Sequence, residues 1–106
     1  MTGFERLQAW YADHCNDLWE HSYGIRIYTL DNPGWTVEVD LNETDIERRE
    51  FEKIFVEKSE DDWLFAKREE MKFRIACGPG NLDEAMAIFC DWADSRPREP
   101  ETQAPE

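Results

Sequence analysis

The sequence predicts an α+β fold: an antiparallel meander sheet of about five strands flanked by an N-terminal and a C-terminal helix. Three observations carry this expectation. Apolar residues recur at helical spacing near both ends of the chain. Between Trp19 and Leu41, a β-rich run, a Pro-Gly break and a strictly alternating run read as one β-hairpin. After the hairpin, short apolar runs are separated by short polar turns, which favours antiparallel neighbours over parallel ones.

The first helix is expected over Phe4 to Cys15. Phe4, Leu7, Trp10, Tyr11 and Cys15 form its apolar stripe, Thr2 or Gly3 caps its start, and Asn16-Asp17 marks its exit. In the hairpin, Ile25 to Leu30 is the first strand. Asp31-Asn32-Pro33-Gly34 ends it, with Pro33 pre-setting φ and Gly34 supplying the positive φ of a type II turn. Trp35, Val37, Val39 and Leu41 then fall on a core face, and Thr36, Glu38 and Asp40 on an acidic solvent face. Asn42 to Asp45 is a polar turn, and Ile46 to Glu50 fits either a short helical turn or an irregular edge. Phe51 to Lys58 is the third strand, with Ile54 and Val56 on one face and Phe51 and Phe55 on the other. Trp63 to Arg68 and Phe73 to Cys77 are the fourth and fifth. Gly78-Pro79-Gly80 ends the sheet. Asn81 stands where an N-cap belongs, with Glu84 as capping-box partner, and Leu82 to Asp94 is the second helix. Pattern alone leaves open whether the helices share one sheet face or take one each.

A chain of 106 residues has room for one domain. It is expected over residues 1–94, followed by a disordered Pro/Glu-rich tail over 95–106 that holds no large apolar residue. Charge is the outlier, with 25 acidic against 12 basic side chains and a net charge of −13. That balance repels nucleic acid and anionic membrane surfaces and favours a basic protein partner. Cys15, Cys77 and Cys90 are an odd count with wide spacing, which is neither a disulfide framework nor a zinc pattern, so reduced thiols in the cytoplasm fit best. The N-terminus lacks the features of a signal peptide, and no cofactor motif is present.

Few residues invite catalysis. Glu20 and His21 form a carboxylate–histidine pair, but neighbours on an extended chain point to opposite faces. Cys77 precedes a helix N-terminus without an evident base, and a buried strand-end cysteine accounts for it equally. The acidic run is a better candidate. Thr36 to Asp62 holds eleven acids against four cations, more than half of the chain's net charge in about a quarter of its length. Glu38, Asp40, Glu43, Asp45, Glu47, Glu60, Asp61 and Asp62 are the candidate partner-binding residues. A solvated sheet face that discourages edge aggregation is the plainer reading of the same residues.

Four motifs carry a resemblance: Leu7-Gln8-Ala9-Trp10-Tyr11, Trp19-Glu20-His21-Ser22-Tyr23-Gly24, Leu30-Asp31-Asn32-Pro33-Gly34-Trp35 and Gly78-Pro79-Gly80-Asn81-Leu82. In order and spacing, from Leu7 to Trp92, the chain resembles the immunity protein 53 family of bacterial polymorphic toxin systems. The resemblance implies a small, cytoplasmic, non-enzymatic protein that binds and neutralises a cognate toxin domain with a basic surface, a nuclease being one example. It marks Trp19, Glu20, His21, Asp31, Asn32, Pro33, Gly34, Trp35, Gly80 and Asn81. Turn and cap chemistry already accounts for Pro33, Gly34, Trp35, Gly80 and Asn81, so these are expected to serve the fold. The alternatives are a small acidic adaptor, or an enzyme using Glu20, His21 or Cys77.

Overall fold

A computed structural model describes residues 1–95. The tail expected from residue 95 onward therefore lies, beyond Ser95, outside the described residues. The elements in chain order are α1 (Gly3–His14), α2 (Trp19–Ser22), β1 (Ile25–Leu30), β2 (Gly34–Asp40), β3 (Ile54–Glu57), β4 (Trp63–Glu69), β5 (Lys72–Cys77) and α3 (Leu82–Asp94). All strand pairs are antiparallel, and the α+β arrangement of one five-stranded sheet with a helix from each end of the chain is as expected. The strand order is β1-β2-β5-β4-β3. Only the last three strands run as a meander, because the connection from β2 carries the chain along one end of the sheet to its far edge, where β3 begins, and leaves room for β5 beside β2.

Thr2 caps α1 in a full capping box. Its hydroxyl accepts the Glu5 N–H at 3.0 Å and the Glu5 carboxylate accepts the Thr2 N–H at 2.9 Å. Helix α1 packs on α3, and α3 packs on β5 and β2, so both helices cover one sheet face and leave the other open. Between them lies the core: Leu7 and Trp10 of α1, Phe89 and Met86 of α3, and Val37, Val39, Phe73 and Ile75 of the central strands. Phe73 and Phe89 are fully buried and meet edge to face at 5.2 Å.

Three local expectations are corrected. First, the hairpin begins at Ile25, and Trp19–Ser22 ahead of it is a turn of helix. The Asn16 side chain accepts the Leu18 and Trp19 N–H groups and starts it, a cap too short-ranged to leave a periodicity. Second, Gly34 does not take a positive φ; it is the first residue of β2, paired with Leu30 across a three-residue loop. Glycine is needed there because a Cβ would overlap the Cys77 carbonyl oxygen of the neighbouring strand. Gly34→Ala is expected to cost about 2–3 kcal/mol by denaturant unfolding, since backbone rather than a yielding side chain stands in the way. Third, Phe51 precedes β3 and so escapes its alternation. It turns into the core against Phe73 at 4.6 Å and Trp92 at 5.7 Å, while Phe55 stays on the open face and is 64% exposed.

Candidate functional site

The acids of the Thr36–Asp62 segment do not form one surface; the fold sends them to three places. Glu38 and Asp40 lie on the open sheet face, but not in solvent. Their side chains are only 11% and 8% exposed, which corrects the expectation of an acidic solvent face. The register explains it. Glu38 sits between Arg26 of β1 and Arg74 of β5, and Asp40 lies opposite Lys72. Those long cations fold inward over the central strand. Arg26 Nε donates to Glu38 Oε1 at 3.1 Å, the Tyr28 hydroxyl to Oε2 at 3.0 Å, and Arg74 Nε lies 3.2 Å from Oε2. Asp40 accepts from Lys72 Nζ at 3.1 Å and from the Gly24 N–H at 2.9 Å, with Arg26 at 3.4 Å. Burial alone pushes both carboxyls up. The hydrogen bonds and charges of Arg26, Tyr28 and Arg74 on Glu38, and of Lys72, Gly24 and Arg26 on Asp40, together outweigh it. Both pKa values fall below their ordinary range.

Glu43, Asp45 and Glu47 belong to the crossover between β2 and β3, at one end of the sheet. Ile46 is buried and anchors this segment, which is a succession of turns closed by Thr44 N–H to Leu41, Glu47 N–H to Thr44 and Arg49 N–H to Ile46 carbonyls. Two arginines hold it. Arg68 of β4 donates to the carbonyls of Glu47, of Arg49 at 2.6 Å, and of Glu70 at 2.9 Å. Arg49 donates to the Trp92 and Ala93 carbonyls at the C-terminus of α3, at 2.8 and 3.1 Å. The two guanidiniums are thus turned inward and occupied, while Glu43, Asp45 and Glu50 stay exposed. The same end gathers α1 through His14, whose Nε2 lies 3.0 Å from Asp45, and α2 through Trp19, whose Nε1 donates to the Asn42 carbonyl at 2.9 Å. Asp17, Glu69 and Glu70 are exposed nearby on these connected segments. A depression of about 450 Å³ opens here between Asn42 and the Glu69–Arg74 turn. A second groove, of about 470 Å³ between α1 and β1, is lined mainly by apolar residues and by none of the candidate acids.

Glu60, Asp61 and Asp62 form the β3–β4 turn at the opposite end of the sheet, and all three are exposed. This end also holds the hairpin loop and the Gly78–Asn81 loop. Trp35 Nε1 donates to the Pro79 carbonyl at 3.1 Å. The Asn81 side chain forms no cap bond to the backbone of α3, contrary to the capping-box expectation. Its amide instead donates to Asp62 and to Glu84, both at 3.0 Å, and so ties the helix to the acidic turn.

The motif residues separate accordingly. Trp19 is 2% exposed and packs edge to face against Trp10 at 5.9 Å. The Glu20 carboxylate accepts the Asn16 and Asp17 N–H groups at 2.9 and 2.7 Å. Its own backbone amide and these two hold its pKa down, which keeps it an anion rather than an acid. Gly34, Trp35 and Asn81 serve packing and loop contacts, as above. His21, Asp31, Asn32, Pro33 and Gly80 are exposed, and no neighbouring atom crowds the Gly80 Cα. Cys77 is fully buried, and burial raises its thiol to about 11 despite the Trp35 amide, which leaves it a poor nucleophile at neutral pH.

A family model described as immunity protein 53 matches residues 4–94. The chain belongs to the immunity protein 53 family. Membership supports an immunity function and implies a toxin as the partner. The matched span takes in every helix and strand described above but for Gly3, the first residue of α1. No curated protein and no solved structure matches the chain. Among the described residues, no helix of this immunity protein is long and apolar enough to cross a membrane.

Proposed function

We propose that this protein is a single-domain cytoplasmic immunity protein of a polymorphic toxin system, and that it works by binding rather than by catalysis. It covers a basic cleft on its cognate toxin, such as a nuclease's substrate channel, with the acidic end built by the β2–β3 crossover. Glu43, Asp45 and Glu47 are the residues assigned to that contact. Family membership supports the toxin partner. The observation that favours this end is that Arg49 and Arg68 turn their guanidiniums onto backbone carbonyls, which leaves Glu43 and Asp45 exposed, with Glu47 half-buried beside them and Arg48 as the exposed cation of the segment. Glu38 and Asp40, neutralised within the sheet, are assigned to holding the strands together. Glu60, Asp61 and Asp62 form a second acidic pole on the far side of the molecule.

An enzymatic reading finds little support. The Glu20 carboxylate is engaged by backbone amides, and the Cys77 thiol is buried with a raised pKa. Calorimetric titration into the toxin domain encoded beside the gene, inactivated at its catalytic residue, tests the proposal. One-to-one binding at nanomolar affinity is expected. An absence of heat at micromolar concentration would remove that neighbour as the partner.

A further inference from the structure

Strand β3 is an outer edge of the sheet, and its backbone offers a pairing surface of defined parity. The Lys58 N–H donates to the Asp62 carbonyl at 2.8 Å, in line with the β3–β4 register. In an antiparallel ladder the inward groups alternate, so Val56 and Ile54 also turn their amides and carbonyls toward β4. Phe55 and Glu57 therefore turn theirs outward, and Lys53, the residue before β3, would join them where pairing extends the strand by one residue. Among the described residues no strand meets them. Phe55 and Val56 are 64% and 43% exposed on this edge, where an unpaired strand is ordinarily guarded by charge.

The sequence around Phe55 is self-complementary. Reading outward from it, Ile54 matches Val56, Lys53 matches Glu57, and Glu52 matches Lys58. We propose that two copies of this chain pair antiparallel through β3, with Phe55 opposite Phe55 of the second copy, and continue one sheet across a two-fold axis. In that register outward backbone groups meet outward backbone groups. The two Phe55 residues exchange both of their hydrogen bonds, and Lys53 does the same with Glu57. Side chains that meet also share a face. Phe55 and Glu57 lie on the open face beside Phe65, the direct β4 neighbour of Phe55, and Ile54 and Val56 lie on the helix-covered face; pairing that extends β3 to Lys53 sets it on the open face opposite Glu57. Symmetry makes each ion pair occur twice.

Parity allows a register slip only in steps of two residues. One slip sets Phe55 against Glu57, Ile54 against Lys58 and Glu52 against Glu60; the other sets Phe55 against Lys53 and Glu52 against Val56. Both lose the Lys53–Glu57 and Glu52–Lys58 pairs, and the second gains only Glu50 opposite Lys58 in exchange, so the sequence favours the Phe55-centred register. Each copy carries a net charge of −13, and this mutual repulsion weakens the dimer at low salt. At physiological ionic strength a screening length of about 8 Å suppresses the repulsion more than it does the contacts across the strand pair.

Sedimentation velocity on the full chain at physiological ionic strength tests the pairing. It compares the wild type with Lys53→Glu, Glu57→Lys and the double swap, all at exposed positions where melting curves report an intact fold. A reversible dimer in the high-micromolar range is expected for the wild type. Each single reversal places like charges opposite each other twice and weakens association about tenfold or more, and the double swap restores it to within about threefold. A protein that stays monomeric at millimolar concentration, leaving the edge to some other partner, would overturn the proposal. So would a dimer indifferent to the single reversals, or one that the double swap fails to restore.

Discussion

Replacing Glu43, Asp45 and Glu47 together by lysine slows association with the toxin about a hundredfold at low ionic strength. Three charges change sign at the end of the molecule that meets the partner, and steering of this kind changes on-rates by factors of about 10 to 1,000. Stability should stay within about 0.5 kcal/mol of wild type, because these side chains lie at the surface and support little of the fold. Among the described residues their one side-chain bond is the His14 contact of Asp45, a carboxylate that is 73% exposed. Stopped-flow association together with a thermal melt separates the two effects. The matching reversal at Glu60, Asp61 and Asp62, on the far side of the molecule, should slow association by less than about threefold, since charges beyond a Debye length from the contact are screened.

Asp40→Ala gives the opposite profile, a loss of about 2–3 kcal/mol in stability with little change in association. The substitution removes the acceptor of Lys72 Nζ, of one Arg26 contact and of the part-buried Gly24 N–H. The cations are about half exposed and rehydrate, so the loss falls short of the roughly 3–5 kcal/mol seen when a fully buried pair is broken. For a chain of this size that corresponds to a melting temperature lower by about 10–20 °C. The acid limb of the stability curve carries the same information. The folded pKa values of Asp40 and Glu38 are depressed from ordinary values of 3.8 and 4.5. Their stabilisation is therefore complete above those values and is lost as pH falls through the lower folded ones. Asp40→Asn should flatten that loss below about pH 4 and leave the neutral-pH plateau lower than that of wild type.

Local features of the chain were legible, and features that depend on distant partners were not. Helical periodicity, written in neighbouring residues, named Leu7 and Trp10 of α1 and Ala85, Met86 and Phe89 of α3 as buried, but the α1 stripe also took in Phe4, Tyr11 and Cys15, which are exposed because only a narrow side of that helix meets α3 and the sheet. Alternation likewise named Val37, Val39 and Leu41 as core. It misplaced Glu38 and Asp40 because their burial depends on Arg74 and Lys72, which reach β2 only after the crossover inserts β5 beside it. Arg26 opposite Glu38 was available from the hairpin register, and it was the one early sign that the polar face of β2 was not free. Helix α2 was missed because four residues are too few to show a period, and the Asn16 cap that starts it has the look of loop composition. The division of the acidic run between two ends of the sheet follows from β3, which carries the chain from the crossover at one end to the β3–β4 turn at the other. A run of like charges in sequence is one surface only if the chain between its parts does not span the sheet.

The central claim is that the exposed crossover acids face the toxin while the sheet acids hold the fold. The most direct measurement is the association rate with the inactivated toxin domain as a function of ionic strength, for the wild type and for the Glu43, Asp45 and Glu47 lysine variant. The account predicts a wild-type rate that falls steeply with salt and a variant rate that is slow and nearly flat. Equal rates with equal salt slopes for the two proteins would contradict it and place the contact elsewhere on the molecule.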